Sequence, residues 1–276
     1  MNFPLPARLL LLLGALCVAA PARAQLPFYT DDPAVTEPGK WHFEFFNELD
    51  ALQLQYPNIR QNTSNFKLNY GLPHHLELDV DAPYLAIYRA FGAQTSNGPG
   101  DTDMGIKWEF HKASPDSRLP ALGASLYIEF PTGSVHQQLG SGQVDYWLNL
   151  IAQKPLSDKT RINVNMGFLF AGNTSTGVLG VETKRGHVFT GGVSVLHDFT
   201  SRLTLGGEVY GGINDEPALG RRQVQGLLGG QYAIRNGLSF AFGVLGGRFV
   251  ASPRIGGQVG FALDFPDVLR PPPTRQ

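Results

Sequence analysis

Sulfur is nearly missing from this sequence, which has one thiol, Cys17, and three methionines in 276 residues. Cys17 falls within the first two dozen residues, so a chain trimmed there has no thiol and no disulfide framework of the kind that staples small exported domains. A basic excess is missing too. The 22 Lys and Arg residues against 23 Asp and Glu give a formal charge of −1, which argues against a nucleic-acid partner. Beyond residue 24 no apolar run exceeds about ten residues, half of the roughly 20 that a membrane-spanning helix needs. No helical periodicity appears there either. A chain of this kind crosses a membrane only as a closed barrel, because lipid satisfies none of the backbone groups that an open edge would expose.

The N-terminus has the three parts of a secretion signal. Arg8 supplies the positive charge, residues 9–20 supply a short apolar stretch, and Ala22-Arg23-Ala24 supplies small residues at the −3 and −1 positions. Cleavage after residue 24 makes Gln25 the mature N-terminus. Leu16 stands before Cys17 where lipoprotein processing needs a small residue, so lipidation is not expected.

The mature chain is rich in glycine, 33 residues overall against an average of about 7%, and from Lys40 onward it alternates. Phe66, Leu68, Tyr70 and Leu72 interleave with Lys67, Asn69 and Gly71. Leu76, Leu78, Val80 and Ala82 interleave with Glu77, Asp79 and Asp81, and Ile162, Val164, Met166, Phe168 and Phe170 with Arg161, Asn163, Asn165 and Gly167. A period of two means a strand with one apolar and one polar face. About twelve such strands are predicted, each near the 9–11 residues that cross a bilayer at a tilt. Their cores begin near Lys40, Ser64, His75, Thr102, Ala121, Gln143, Thr160, Gly186, Arg202, Arg222, Gly237 and Pro253.

The connections alternate between long and short. Residues 55–63, 89–101, 132–142, 172–185 and 213–221 read as loops. Residues 72–74, 156–159, 200–201 and 235–236 read as turns, and 112–120 is a member of the short class that runs long. Long external loops and short periplasmic turns are the asymmetry of outer-membrane barrels. Aromatic residues near strand ends, among them Trp41, Tyr56, Tyr70, Tyr84, Trp108, Phe110, Phe130, Phe199, Phe249 and Phe265, suit the girdles at the two interfaces. The expected fold is therefore an all-β, antiparallel up-and-down transmembrane barrel over residues 40–266. Residues 1–24 are its signal, 25–39 a periplasmic or lumen-facing segment, and 267–276 a Pro-rich tail. An even strand count leaves both termini in the periplasm, with Asn97 and Ser175 at the cell surface and Ser201 on the opposite side.

With the apolar set facing lipid, the lumen receives Glu44, Glu48, Asp50, Glu77, Asp79, Asp81, Glu109, Glu129 and Asp145, together with Lys67, Lys107 and Arg161. Later strands contribute small or neutral groups: Ser194, Gln225, Gln231, Ser239 and Gln258. Lys67 and Lys107 are the expected partners of the stripe formed by Glu77, Asp79 and Asp81. Two readings stay open: the charges pair and plug the interior, or they line a narrow conducting path.

No catalytic set stands out. The seven histidines, His42, His74, His75, His111, His136, His187 and His197, are scattered, and none adjoins a nucleophile motif. His74 and His75 are neighbours in sequence and point to opposite faces of a strand, so no metal site is expected there, nor any cofactor. Asp101 and Asp103 share a side and suit bonds to loop amides. Two carboxylates fall short of the six to eight oxygens of a calcium site.

Pro27-Phe28-Tyr29-Thr30-Asp31-Asp32-Pro33, then Pro38-Gly39-Lys40-Trp41, and later Gly98-Pro99-Gly100-Asp101-Thr102-Asp103-Met104-Gly105-Ile106-Lys107-Trp108 resemble the outer-membrane transporter family labelled for the meta-pathway of phenol degradation. The resemblance implies a barrel of the bacterial outer membrane that passes small, aromatic or otherwise hydrophobic solutes, and the missing catalytic set argues against the rival of a barrel enzyme acting on lipid or peptide. Its expected partners are the lipid bilayer, the barrel-assembly machinery and those solutes. A non-conducting structural or interaction barrel is the alternative. This chain departs from the usual barrel ending in that Phe265 closes the last strand and a tail follows.

Overall fold

The computed structural model describes residues 26–54, 58–89, 95–113, 119–171, 185–215 and 222–266. The signal at 1–24, the tail at 267–276, Tyr56 and Ser175 lie outside the described residues. Alternation has become strand along the chain: β1 (Lys40–Ala51), β2 (Asn58–Leu72), β3 (Leu76–Arg89), β4 (Ser96–Pro99), β5 (Thr102–His111), β6 (Ala121–Phe130), β7 (Asp145–Ser157), β8 (Thr160–Ala171), β9 (Gly186–Asp198), β10 (Leu203–Asn214), β11 (Arg222–Arg235), β12 (Leu238–Gly247) and β13 (Ile255–Pro266). Each pairs antiparallel with its neighbour, and β1 closes on β13 from Lys40 opposite Pro266 to Ala51 opposite Ile255. The result is a closed antiparallel barrel of twelve spanning strands, because β4 and β5 are two halves of one. A single short 3-10 turn, Val135–Gln137, is the helical content of the described residues.

The break between β4 and β5 has a local cause. β5 pairs with β3 up to Asp81 and β4 resumes the pairing at Tyr84. Between them stands Pro83, which has no N–H to give, and the N–H of Gly100 reaches the Pro83 carbonyl at 2.8 Å. Asp101 turns out of the ladder: its carboxylate accepts the backbone N–H groups of Gly133 (2.9 Å) and Ser141 (2.6 Å). The loop after β6 is thereby drawn down against the wall, where Leu139 packs with Leu85 and Ile87.

Two sequence expectations need correction. β2 starts at Asn58, not near Ser64, so the connection from β1 is shorter than expected. Apart from Ile59, residues 58–65 are polar on both faces, which hides the alternation, yet they pair with β3 as far as Arg89. The predicted 89–101 loop also contains β4. Neither change disturbs the segregation of connections, for the turns at 73–75, 158–159, 199–202 and 236–237 lie together at one end of the ring.

The outer surface is apolar in mid-strand, with Leu228 exposed by 68% and Met166 by 66%. A soluble protein rarely presents a continuous belt of that kind, whereas a bilayer satisfies it. Aromatic pairs stand toward the strand ends, among them Trp41 on Tyr70 (4.6 Å between centroids) and Trp108 on Phe110 (5.4 Å).

Candidate functional site

The polar face of the strands turns inward and makes a lumen whose two halves differ. On β1 to β7 the inward positions are charged: Glu44, Glu48 and Asp50, then Lys67, then Glu77, Asp79 and Asp81, then Lys107 and Glu109, then Glu129 and Asp145. Glu44, Glu48, Asp50, Glu77, Asp79, Lys107, Glu109 and Asp145 are buried from bulk water. On β9 to β13 the inward positions are mostly apolar or neutral, including Leu196, Leu227, Ala241, Leu245 and Ala262 beside Ser194, Gln225, Ser239 and Gln258, with Glu208 the charged exception, all buried.

Across this lumen runs the segment of residues 26–39. It leaves the wall at the turn end, where Gly39 donates its N–H to the Gly71 carbonyl at 2.9 Å. Gly71 is needed here, since a Cβ would collide with the backbone of Thr36 and Glu37. The Thr36 N–H then donates to Glu77 (2.6 Å), and the Lys107 ammonium pairs with Asp31 at 2.6 Å. In mid-lumen the segment reaches the other side. Glu208 on β10 accepts from the Tyr29 N–H (3.1 Å), the Thr30 N–H (2.5 Å) and the Thr30 hydroxyl (2.6 Å). The Tyr29 hydroxyl donates to Glu48 at 2.7 Å, and the Gln258 amide donates to the same carboxylate at 2.9 Å. Beyond that, Phe28 packs with Leu196, Leu227 and Leu245. Pro27 lies against Gly229 and Gly243 and Leu26 against Gly260, positions where a side chain on the wall would occupy its place. Contacts on so many strands around the ring put the segment inside it.

The segment is thus polar where it meets the charged wall and apolar where it meets the small-residue wall. A buried carboxylate costs free energy unless it is hydrogen-bonded; Glu208 receives its bonds from this segment, and Glu48 receives one from it and one from Gln258. Removing the segment strands Glu208 and leaves Glu48 with the Gln258 amide.

The expected lumen residues are distributed as follows. Asp81, Asp103, Glu129 and Asp145 stand directly opposite one another in register on β3, β5, β6 and β7, a row of four carboxylates around part of the ring. Lys67 abuts it opposite Asp81, with Glu44 opposite Lys67, and Arg185 pairs with Asp145 at 2.8 Å. Asp79, one inward step toward the turn end, accepts the Tyr127 hydroxyl at 2.9 Å. Lys107 stands opposite Glu77 in register, yet its close ion pair is with Asp31. Glu109 lies at the turn end beside Lys112 (3.5 Å). Arg161 is also at that end, on Asp198 at 3.0 Å, far along the strands from the carboxylate row. Glu44 is held by His42 at 3.1 Å.

Sequence reasoning missed Glu208 and Tyr127, and it gave Asp103 to loop amides with Asp101; of the two, Asp101 takes those amides and Asp103 stands in the carboxylate row. Later strands are not uniformly neutral, for Glu208 is buried and anchors the crossing segment. Its strand, LTLGGEVYGGIN, has glycines on both faces, which blurs the alternation that assigns a side. An acid within a glycine-rich strand was the available signal.

The family described as "Putative MetA-pathway of phenol degradation" matches residues 31–265. The chain belongs to this family. A comparison with curated proteins finds no match. Among solved structures, the chain is similar to the COG4313 outer membrane channel from Pseudomonas putida F1 (TM-score 0.68, 13% identity, 86% of this chain and 100% of that one). It is also similar to NanC porin (0.55, 7%, 80% and 98%) and to KdgM porin (0.53, 10%, 81% and 99%). At such identities the likeness is one of fold: this member of the family is built as outer-membrane channels and porins are.

Proposed function

We propose that the protein is a bacterial outer-membrane channel that passes small solutes by diffusion, along the charged wall of β1 to β7 and past the crossing segment. The observation that carries this reading is the lumen itself: a closed ring with an apolar exterior, inward carboxylates and, among the described residues, a strap of chain that crosses it. Glu44, Glu48, Lys67, Glu77, Asp79, Asp81, Lys107, Glu109, Glu129, Asp145 and Arg161 are the proposed lining. The family description and the apolar patch of Phe28, Leu196, Leu227 and Leu245 support a preference for aromatic or hydrophobic solutes. The test is single-channel recording of the refolded barrel, with liposome flux of small aromatic acids beside it. A barrel that never conducts is instead a structural or interaction barrel, a reading that the anchored segment favours.

Residues 1–24 are proposed as a cleaved signal, with delivery by the barrel-assembly machinery. Protein beginning at Gln25 is then expected in the outer-membrane fraction, and it should migrate faster on a denaturing gel unheated than boiled. Recovery from the soluble periplasm with no mobility shift would falsify the membrane assignment.

The same reading places the longer connections outside the cell. The mature chain has no cysteine of its own, so single cysteines report cleanly. His136→Cys, on the exposed 3-10 turn, should react with an impermeant maleimide on whole cells, and Ser201→Cys, in an opposite turn, should react only after lysis. The reverse pattern inverts the orientation.

A further inference from the structure

The loop between β6 and β7, residues 131–144, folds back over the lumen. Its tip, Val135–Gln137, is exposed, but Leu139 just beyond is 1% exposed and packs on Leu85 and Ile87. Those two continue the inward face of Glu77, Asp79 and Asp81 along β3, so the loop lies on the inner side of the wall. From its roots on β6 and β7 it passes β5 to reach β3 and β4, a step of two strand spacings or about 10 Å. At its far side the Arg89 guanidinium donates to the Gln137 carbonyl at 3.1 Å.

The seat is made by the motif Gly98-Pro99-Gly100-Asp101. Asp101 is buried, and its carboxylate takes one N–H from each limb of the loop, Gly133 and Ser141. The Thr132 hydroxyl donates to the Gly100 carbonyl at 2.9 Å. A Cβ on Gly98 would meet the Leu139 side chain, and one on Gly140 would collide with the Asp101 carboxylate. Two residues on from Asp101 stands Asp103, facing Glu129 in the carboxylate row, so the loop roofs the row at the outer end of the lumen. Bonds to a carboxylate are roughly twice as strong as neutral ones, which makes Asp101 a latch. We propose that residues 131–144 form a constriction at the outer mouth, in series with the strap, and that Asp101 is the positioning residue that seats it. Solutes from outside reach the carboxylate row only past this loop. The inference rests on the orientation given above and not on whether the barrel conducts.

Single cysteines on whole cells test it with a bulky impermeant maleimide. In the otherwise native barrel His136→Cys should react quickly. Leu139→Cys and Asp103→Cys should react about tenfold more slowly or less, since charge-assisted bonds hold the loop over both. Asp101→Ala removes the latch, and Gly140→Val pushes the loop off it without changing a charge. Either should bring Leu139→Cys and Asp103→Cys close to the rate of His136→Cys, with the heat-dependent gel shift reporting a folded barrel. Should both variants fail to fold, the native background decides: Leu139→Cys or Asp103→Cys labelled as fast as His136→Cys overturns the inference. Leu139→Cys still protected in a folded variant overturns the role of Asp101. Leu139→Cys exposed while Asp103→Cys stays slow overturns the constriction. Labelling of His136→Cys only after lysis puts the loop at the inner mouth, and the inference then fails through the orientation rather than through the loop.

Discussion

Deleting residues 26–36 while keeping the signal and Gln25 should raise single-channel conductance several-fold. The ring does not depend on this stretch for closure, because β1 and β13 pair along their full length from Lys40 to Ala51. What the deletion removes is a strap spanning the lumen from Glu77 and Lys107 on one wall to Glu208 on the other. The loss also takes from Glu208 its donors on Tyr29 and Thr30, while Glu48 keeps the Gln258 amide and Glu77 the Asn69 amide; water entering the opened lumen takes over the lost bonds, which limits the stability cost. Glu208→Ala is the milder version. It withdraws three bonds from Tyr29 and Thr30 while leaving the Lys107–Asp31 pair, so the strap should detach at one end and conductance should fluctuate between two levels. A conductance unchanged by the deletion would mean that the constriction lies elsewhere, with the loop drawn down by Asp101 the next place to look.

The ring itself was legible in the sequence because alternation is a direct record of two solvents. Where one face meets lipid and the other water, as in β8 with Val164, Met166 and Phe168 against Asn163, Asn165 and Gly167, the strand announces both its extent and its facing. Where both faces meet polar surroundings, as at residues 58–65 of β2, the record is blank, and the strand was read six residues short. Pro83 similarly hid the continuity of the fourth strand, because its interruption is caused by a residue on a neighbour. The crossing segment was visible as the motif Pro27-Phe28-Tyr29-Thr30-Asp31-Asp32-Pro33, but its partners were not. Glu208 and Lys107 lie 178 and 76 residues away from the groups they hold, and no local pattern encodes such pairings. The carboxylate row is of the same kind: Asp81, Asp103, Glu129 and Asp145 are neighbours only once four strands are in register.

That row sets the expected ion preference of any open path. Side chains directly opposite on adjacent strands have Cβ atoms about 4.5–5.5 Å apart, and like charges at that spacing repel unless cations intervene. Lys67 faces the row at Asp81 and Arg185 at Asp145, which leaves Asp103 and Glu129 facing each other in the middle. Rings of carboxylates favour cations in pores, so the channel should be cation-selective in a salt gradient. The preference should fade between 0.1 M and 1 M salt as the screening length falls from about 10 Å to about 3 Å. Asp103→Asn together with Glu129→Gln should abolish most of it, because these two have the least basic company. Glu77→Gln, Asp79→Asn and Asp81→Asn together should weaken it less. Glu77 already serves Thr36 and Asp79 already serves Tyr127, so chiefly Asp81 contributes to the row. Reversal potentials measured on the two variants separate these roles. Anion selectivity in the wild type, or a larger effect from the β3 triple than from the Asp103–Glu129 pair, would show that ions follow another wall of the barrel.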